Sequence, residues 1–158
     1  MSASSHPKAD IVPFTKEYSG TVRAWIDSAE VFKDVCRGKN FPPATDIVDT
    51  WQRKDVSSYL LFTGGKPVAY AELWSRPNEM AVEVAHLIVD PARRSQGYGS
   101  RLLQLLYEQG AARQDVAKIV AHLYSDNRVA LGCLLKGGFE LAGTTGYTQG
   151  LRVVRLVT

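Results

Sequence analysis

The stretch MAVEVAHLIVD, residues 80–90, runs directly into PARRSQGYGSR, residues 91–101. In an extended chain, period two sets Ala81, Glu83, Ala85, Leu87 and Val89 on one side, with Val82, Val84, His86 and Ile88 on the other. Both sides are largely apolar, which predicts a strand inside a sheet covered by helices on both faces. Arg93-Arg94-Ser95-Gln96-Gly97-Tyr98-Gly99-Ser100-Arg101 breaks that pattern. Gly97 or Gly99 opens a helix to about Arg113, turning Leu102, Leu103, Leu105, Leu106 and Ala112 inward. Val116–Tyr124 (VAKIVAHLY) is the next strand. A strand–helix–strand unit over residues 80–124 requires a parallel pair with a right-handed crossover.

Upstream, Ser58–Thr63, the turn Gly64-Gly65 and Pro67–Trp74 read as an antiparallel hairpin, so the sheet is mixed. Ile11–Phe14 is a short strand. Thr15–Gly38 carries Val22, Trp25, Ile26, Ala29 and Phe32 at helical spacing, and Gly38 ends it. Phe41-Pro42-Pro43 is a loop, after which Thr45 or Asp46 caps a second helix through Trp51. Downstream, Asn127 caps a helix that Gly137-Gly138 terminates, and Phe139–Ala142 and Leu151–Val157 are the last strands. The fold class is α/β with a mixed sheet. Residues 1–9 read as a disordered tail and residues 10–158 as a single domain, since 158 residues suit one core.

Composition narrows the function. Lys and Arg number 19 against 16 Asp and Glu, a net charge of +3. Residues 1–79 carry ten of each sign, so the excess lies in residues 80–158, with nine basic against six acidic. That suits a small anionic ligand better than a nucleic acid, which calls for a denser basic face. Cys36 and Cys133 stand far apart, outside any metal-binding or disulfide spacing, so no metal is expected. No apolar run approaches the ~20 residues that span a bilayer, and Met1–Asp10 lacks the apolar core of a secretory signal. A cytoplasmic protein with no membrane partner is the expectation.

Free N–H groups at a helix N-terminus form an anion site, and glycines let the backbone come close to a diphosphate. Taken alone, Gly97-x-Gly99 is equally a tight strand-to-helix turn with solvated arginines. Neither GxxxxGK[ST] nor GxGxxG/A fits: no Lys-Ser/Thr pair follows, and Leu102 stands at the third glycine position. Val89-Asp90-Pro91 followed by Arg94-x-x-Gly97-x-Gly99 and Leu102-Leu103 instead resembles motif A of the GNAT superfamily of N-acetyltransferases. Asn127-x-x-Ala130 followed by Gly138-Phe139-Glu140 resembles that family's motif B. Both motifs stand in the right order, and the element order matches over roughly residues 10–157.

The resemblance implies a mostly antiparallel twisted sheet whose parallel fourth and fifth strands splay to admit acetyl-CoA, the expected co-substrate. Leu87, Ile88 and Val89 would line the pantetheine arm, with the Leu87 region polarising the thioester carbonyl. Arg94, Ser95, Gln96, Gly97, Tyr98, Gly99 and Ser100 would hold the pyrophosphate, and Asn127 would approach the pantetheine while capping its helix. The acceptor would be a small-molecule or peptide amine, attacking the thioester directly in a ternary complex. The family's habits also admit a homodimer through the C-terminal strands. A non-catalytic acyl-CoA-binding module on the same fold is the alternative.

Glu83 lies fourteen residues before Gly97, where some family members keep a general base. A carboxylate within an apolar strand has a raised pKa; a carboxylate at the rim, paired with a basic neighbour, is the other reading. The family's usual general acid, a Tyr seven residues after the Asn, is Leu134 here. Cys133, His86 and His122 read as packing residues, and Glu72 and Trp74 as the end of the hairpin strand bordering the acceptor cleft. Gly132 leaves open a close approach to ligand or strand.

Overall fold

The computed structural model describes residues 8–145 and 150–158. Its strands are β1 (Asp10–Pro13), β2 (Val56–Thr63), β3 (Lys66–Arg76), β4 (Ala81–Val89), β5 (Lys118–Tyr124), β6 (Glu140–Thr145) and β7 (Gly150–Leu156). They form one sheet in the order β1-β2-β3-β4-β5-β7-β6. Only β4–β5 is parallel; the other neighbours are antiparallel. Gly64 and Gly65, at φ +56° and +78°, make the two-residue β2–β3 turn, a conformation that other residues resist.

Helices cover both faces. On one, α4 (Tyr98–Ala111) and α5 (Arg128–Lys136) set Leu102, Leu103, Leu106 and Leu134 against Leu73, Val82, Val84 and Ile119. On the other, α1 (Ser19–Ala24), α2 (Ala29–Cys36) and the single turn α3 (Ile47–Thr50) set Val22, Phe32 and Val48 against Leu60, Tyr70 and Ile88. Among the described residues no helix is long and apolar enough to cross a membrane.

Two expectations about the first third of the chain are corrected. Thr15–Gly38 is not one helix: it breaks between α1 and α2, where Trp25 and Ile26 turn into the core. Ser28 is extended there, and its Oγ accepts from the Val31 N–H at 3.1 Å, starting α2 afresh. Lys8 and Ala9, expected in the tail, are also ordered against the sheet. Ala9 is buried, and the Lys8 carbonyl accepts from Thr63 Oγ1 at 2.7 Å; residues 1–7 lie outside the described residues.

A third correction concerns β4. Tyr70 pairs with Ile88 but Glu72 with Ala85, so His86 and Leu87 together oppose Ala71. His86 has φ +50°, the mark of a bulge. One extra residue reverses the alternation beyond it. Glu83 therefore shares its face with Ile88 and, through the bulge, with His86, while Leu87 and Val89 fall in with Val82 and Val84.

The parallel pair also ends early. β4 pairs with β5 only over Ala81–Val84 and Lys118–Ala121; beyond that, β5 pairs with β7 alone. From Ala85 to Val89 the β5-facing edge of β4 has no strand partner among the described residues.

Candidate active site

The loop after β4 is built to start a helix without capping it. Asp90 Oδ1 accepts from the Ala92 N–H at 3.0 Å and fixes a short turn over Pro91–Arg93. Ser95 and Gly97, at φ +64° and +88°, then swing the chain into α4. Gly97 sits at the N-cap and offers no side chain, and the first helical bond is Arg101 N–H to the Gly97 carbonyl at 3.0 Å. The N–H groups of Tyr98, Gly99 and Ser100 thus have no acceptor among the described residues. At α2 and α5 the side chains of Ser28 and Asn127 accept such a bond. An uncapped N-terminus of a fourteen-residue helix is a ready anion site.

This cradle abuts the open edge of β4. A Cβ placed on Gly99 would lie 3.6 Å from Val89 Cγ2 and 4.0 Å from Leu87 Cδ2. Leu87 and Val89 are therefore brought against the glycine loop at Gly99, whereas the Ile88 side chain packs on the opposite face with Leu60 and Tyr70. Arg94 turns away: its guanidinium bonds Asp27 at 3.2 Å and the Trp25 carbonyl at 3.3 Å, tying the loop to the α1–α2 connection. Asn127 caps α5, its Oδ1 accepting from the Ala130 N–H at 3.3 Å. A groove of about 400 Å³ beside the cradle is lined by Gly97, Ser100 and Gln104, and by Lys136, Gly137, Gly138 and Arg155. Lys136 and Arg155 were not singled out from the sequence. They sit far from the glycine loop in the chain, and only the packing of α5 and β7 beside α4 brings them near.

The other face of β4 carries a row of polar side chains. Glu83 is 8% exposed, and Arg76 donates to its Oε1 from Nε at 3.1 Å and from a terminal nitrogen at 3.0 Å. His122 Nδ1 lies 3.1 Å from Oε2. Burial pushes this carboxyl up, but the bond and charge of His122, then the charge and bonds of Arg76, outweigh it and hold the pKa below its ordinary value. That corrects the expectation of a raised pKa, because both partners reach Glu83 from neighbouring strands.

A depressed pKa implies a stability term that is complete above the ordinary value of 4.5 and lost as pH falls through the folded-state value. Glu83→Gln should accordingly destabilise the protein near neutral pH and cost progressively less in acid. Urea unfolding of both proteins at about pH 6.5 and about pH 3.5 checks this; an unchanged gap between them refutes it.

Glu72, expected at the hairpin rim, is wholly buried. It accepts from the Tyr70 hydroxyl and from Trp74 Nε1 at 2.7 Å, and His86 Nδ1 lies 2.9 Å from its Oε1. His86 stacks on Trp51 with ring centroids 4.0 Å apart and meets Trp74 in a T-shaped contact at 5.5 Å. Burial, and then the neighbouring Glu72, push the Tyr70 hydroxyl up, and the same two causes push the Cys36 thiol up to about 12, which leaves it a poor nucleophile. Leu134 is buried in the core, Cys133 Sγ lies 3.5 Å from Ser100 Oγ, and a Cβ on Gly132 would meet nothing within 4 Å.

Comparison with known proteins bears on the family and the fold. A mycothiol acetyltransferase of Amycolatopsis mediterranei (strain U-32) is 40% identical over 76 residues, which is 48% of this chain and 24% of that protein. The chain thus spans about a quarter of the length of the curated relative it matches. The aminoglycoside acetyltransferase AAC(6')-Ib, solved in complex with acetyl-CoA, superposes with a TM-score of 0.79 at 18% identity over 95% of this chain and 94% of that one. Spermidine N-acetyltransferase from Vibrio cholerae, solved with CoA and spermine, gives 0.79 at 12% identity over 94% and 95%. Likeness at such identities is likeness of fold. The family profile described as "Acetyltransferase (GNAT) family" matches residues 21–139, from α1 through the cradle to Phe139. On that match, which takes in most of the chain, the protein belongs to the GNAT acetyltransferase family.

Proposed function

We propose that this protein is an acetyl-CoA-dependent N-acetyltransferase that passes an acetyl group to a primary amine by direct attack in a ternary complex. The observation that carries the reading is the uncapped N-terminus of α4 set against the unpaired edge of β4. Free N–H groups from Gly97 to Ser100 suit a diphosphate, with Ser95 and Gln96 shaping the approach. An open strand edge suits an amide-bearing arm that adds to the sheet. The backbone of Leu87, Ile88 and Val89 lines that arm, and a backbone N–H at the bulge polarises the thioester carbonyl. An oriented donor of this kind contributes ~3 kcal/mol in comparable acyl transfers. Asn127 borders the same channel while capping α5, and Arg94 braces the loop through Asp27 rather than reaching for phosphate. The AAC(6')-Ib and spermidine N-acetyltransferase structures carry acetyl-CoA or CoA on this fold, which supports the choice of co-substrate.

Leu134 favours one other reading, an acyl-CoA-binding module that has lost its acid. Catalysis survives that loss, because a thiol with pKa ~8.5 is a tolerable leaving group as thiolate. One experiment separates the two. The protein is mixed with acetyl-CoA and a panel of amines, comprising a polyamine, an aminoglycoside, amino acids and a peptide N-terminus, and thiol release is followed by colour. At least one amine should raise release above the amine-free rate. A rise in Tm with CoA but no amine-dependent thiol would favour the binding module, and no rise in Tm would remove both readings.

A further inference from the structure

We infer that His86, held by Glu72, is the base that takes the proton from the acceptor amine; the inference rests on the acetyl-transfer reading above. The bulge lifts His86 out of the β3–β4 ladder and turns its ring onto the face shared with Glu72 and Trp74. There the imidazole is held by a stack on the Trp51 ring and a T-shaped contact with Trp74. The tautomer follows from the partners. An indole N–H only donates, so Glu72 Oε1 is already an acceptor for Trp74 at 2.7 Å. The same oxygen takes the Nδ1 proton of His86 at 2.9 Å, leaving Nε2 with its lone pair.

Nε2 has no hydrogen-bond partner among the described residues and is itself not buried, in a side chain that is 12% exposed, so the lone pair is reachable from outside. Glu72, at 0%, is not: it acts through the histidine as a positioning residue. Glu83 is less suited to the same task. Arg76 occupies one of its oxygens and His122 the other, and its pKa is depressed. His86 also directly precedes Leu87, whose backbone borders the proposed thioester position, so base and electrophile are neighbours by chain connectivity.

The proton balance closes. An amine of pKa ~10 arrives as ammonium. Nε2 of His86 removes one proton, directly or through one water, and the freed lone pair forms the C–N bond at the thioester carbonyl. The C–S bond then breaks and its electron pair leaves on sulfur. The second proton, now on the amide nitrogen, passes to that thiolate, and the imidazolium returns its own to water.

The test uses the whole chain, acetyl-CoA and the best amine from the panel. In His86→Gln, and in His86→Phe, which keeps an aromatic ring on Trp51 should the first variant fail to fold, kcat should fall by about 100-fold or more. KM for acetyl-CoA and the rise in Tm with CoA should stay as in wild type. In His86→Ala, added imidazole should restore part of the rate. Glu72→Gln should slow turnover less, and the Glu72→Gln/His86→Gln double variant should be no slower than His86→Gln alone, since Glu72 works only through the ring. Turnover within threefold of wild type in a folded His86 variant, a loss that imidazole leaves untouched, or additive losses in the double variant would overturn the assignment. If wild type itself acetylates no amine, the failure belongs to the acetyl-transfer reading; if wild type turns over and the His86 variants match it, only the base assignment fails.

Discussion

Replacing Gly97 by valine is expected to abolish the rise in Tm that coenzyme A produces and to lower kcat/KM by about 100-fold or more, the loss of about 3 kcal/mol of oriented N–H interaction. Two effects act at once. The residue sits at φ +88°, where a β-branched side chain strains the backbone by about 1–3 kcal/mol. Relief of that strain rotates the peptide that starts α4, so the N–H groups of Tyr98, Gly99 and Ser100 no longer converge. A valine side chain would also stand in the space that the proposed reading gives to the diphosphate. The ligand-free protein should melt somewhat lower than wild type yet remain folded, because Gly97 lies outside the packed clusters on both faces of the sheet. Melting curves with and without the cofactor separate the two effects. Should CoA raise the Tm of Gly97→Val as much as that of wild type, the diphosphate binds elsewhere.

The strand, turn and helix that form the cradle were legible because their signals are local. Gly97-x-Gly99 after an apolar strand and before a leucine-rich stretch fixes strand, turn and helix within about twenty residues, and the parallel pair follows from chain connectivity. What escaped the reading depends on residues distant in sequence. MAVEVAHLIV is apolar on both faces, so the extra residue at His86 leaves no phase error to detect. The bulge shows only in the pairing with β3. The sequence left Glu83 between a base and a paired carboxylate because its partners, Arg76 and His122, come from strands on either side. Glu72 looked like a rim carboxylate because nothing in LWSR foretells that Tyr70, Trp74 and His86 close over it. The single long helix over Thr15–Gly38 failed for a different reason: its apolar spacing continues through Trp25 and Ile26, but the cap at Ser28 wins locally.

The two ends of α4 answer to opposite demands, and the second of the large effects tests the far one. At the N-terminus the proposed function requires the helix to leave room for a ligand. At Gly110 it must leave none, since a Cβ there would fall 2.6 Å from Ile119 Cδ1 and 2.9 Å from Val82 Cγ2. Val82 and Ile119 are themselves paired across β4–β5, just before the strands part. Gly110 therefore lets α4 seat directly on the last paired stretch of the parallel strands. Gly110→Ala gains about 1 kcal/mol of helix propensity but loses more to the clash, and Gly110→Val, with two further methyl groups and no propensity gain to match, should cost about 3 kcal/mol or more. In a 158-residue domain that corresponds to a Tm about 6–12 °C lower. Relief by tilting would lift the whole helix, including its N-terminal cradle, so the folded fraction of Gly110→Val should also bind CoA more weakly although the substitution is some 18 Å from Tyr98 along the helix axis, at about 1.5 Å per residue. A Gly110→Val protein as stable as wild type would mean that α4 rides higher on the sheet than this packing allows.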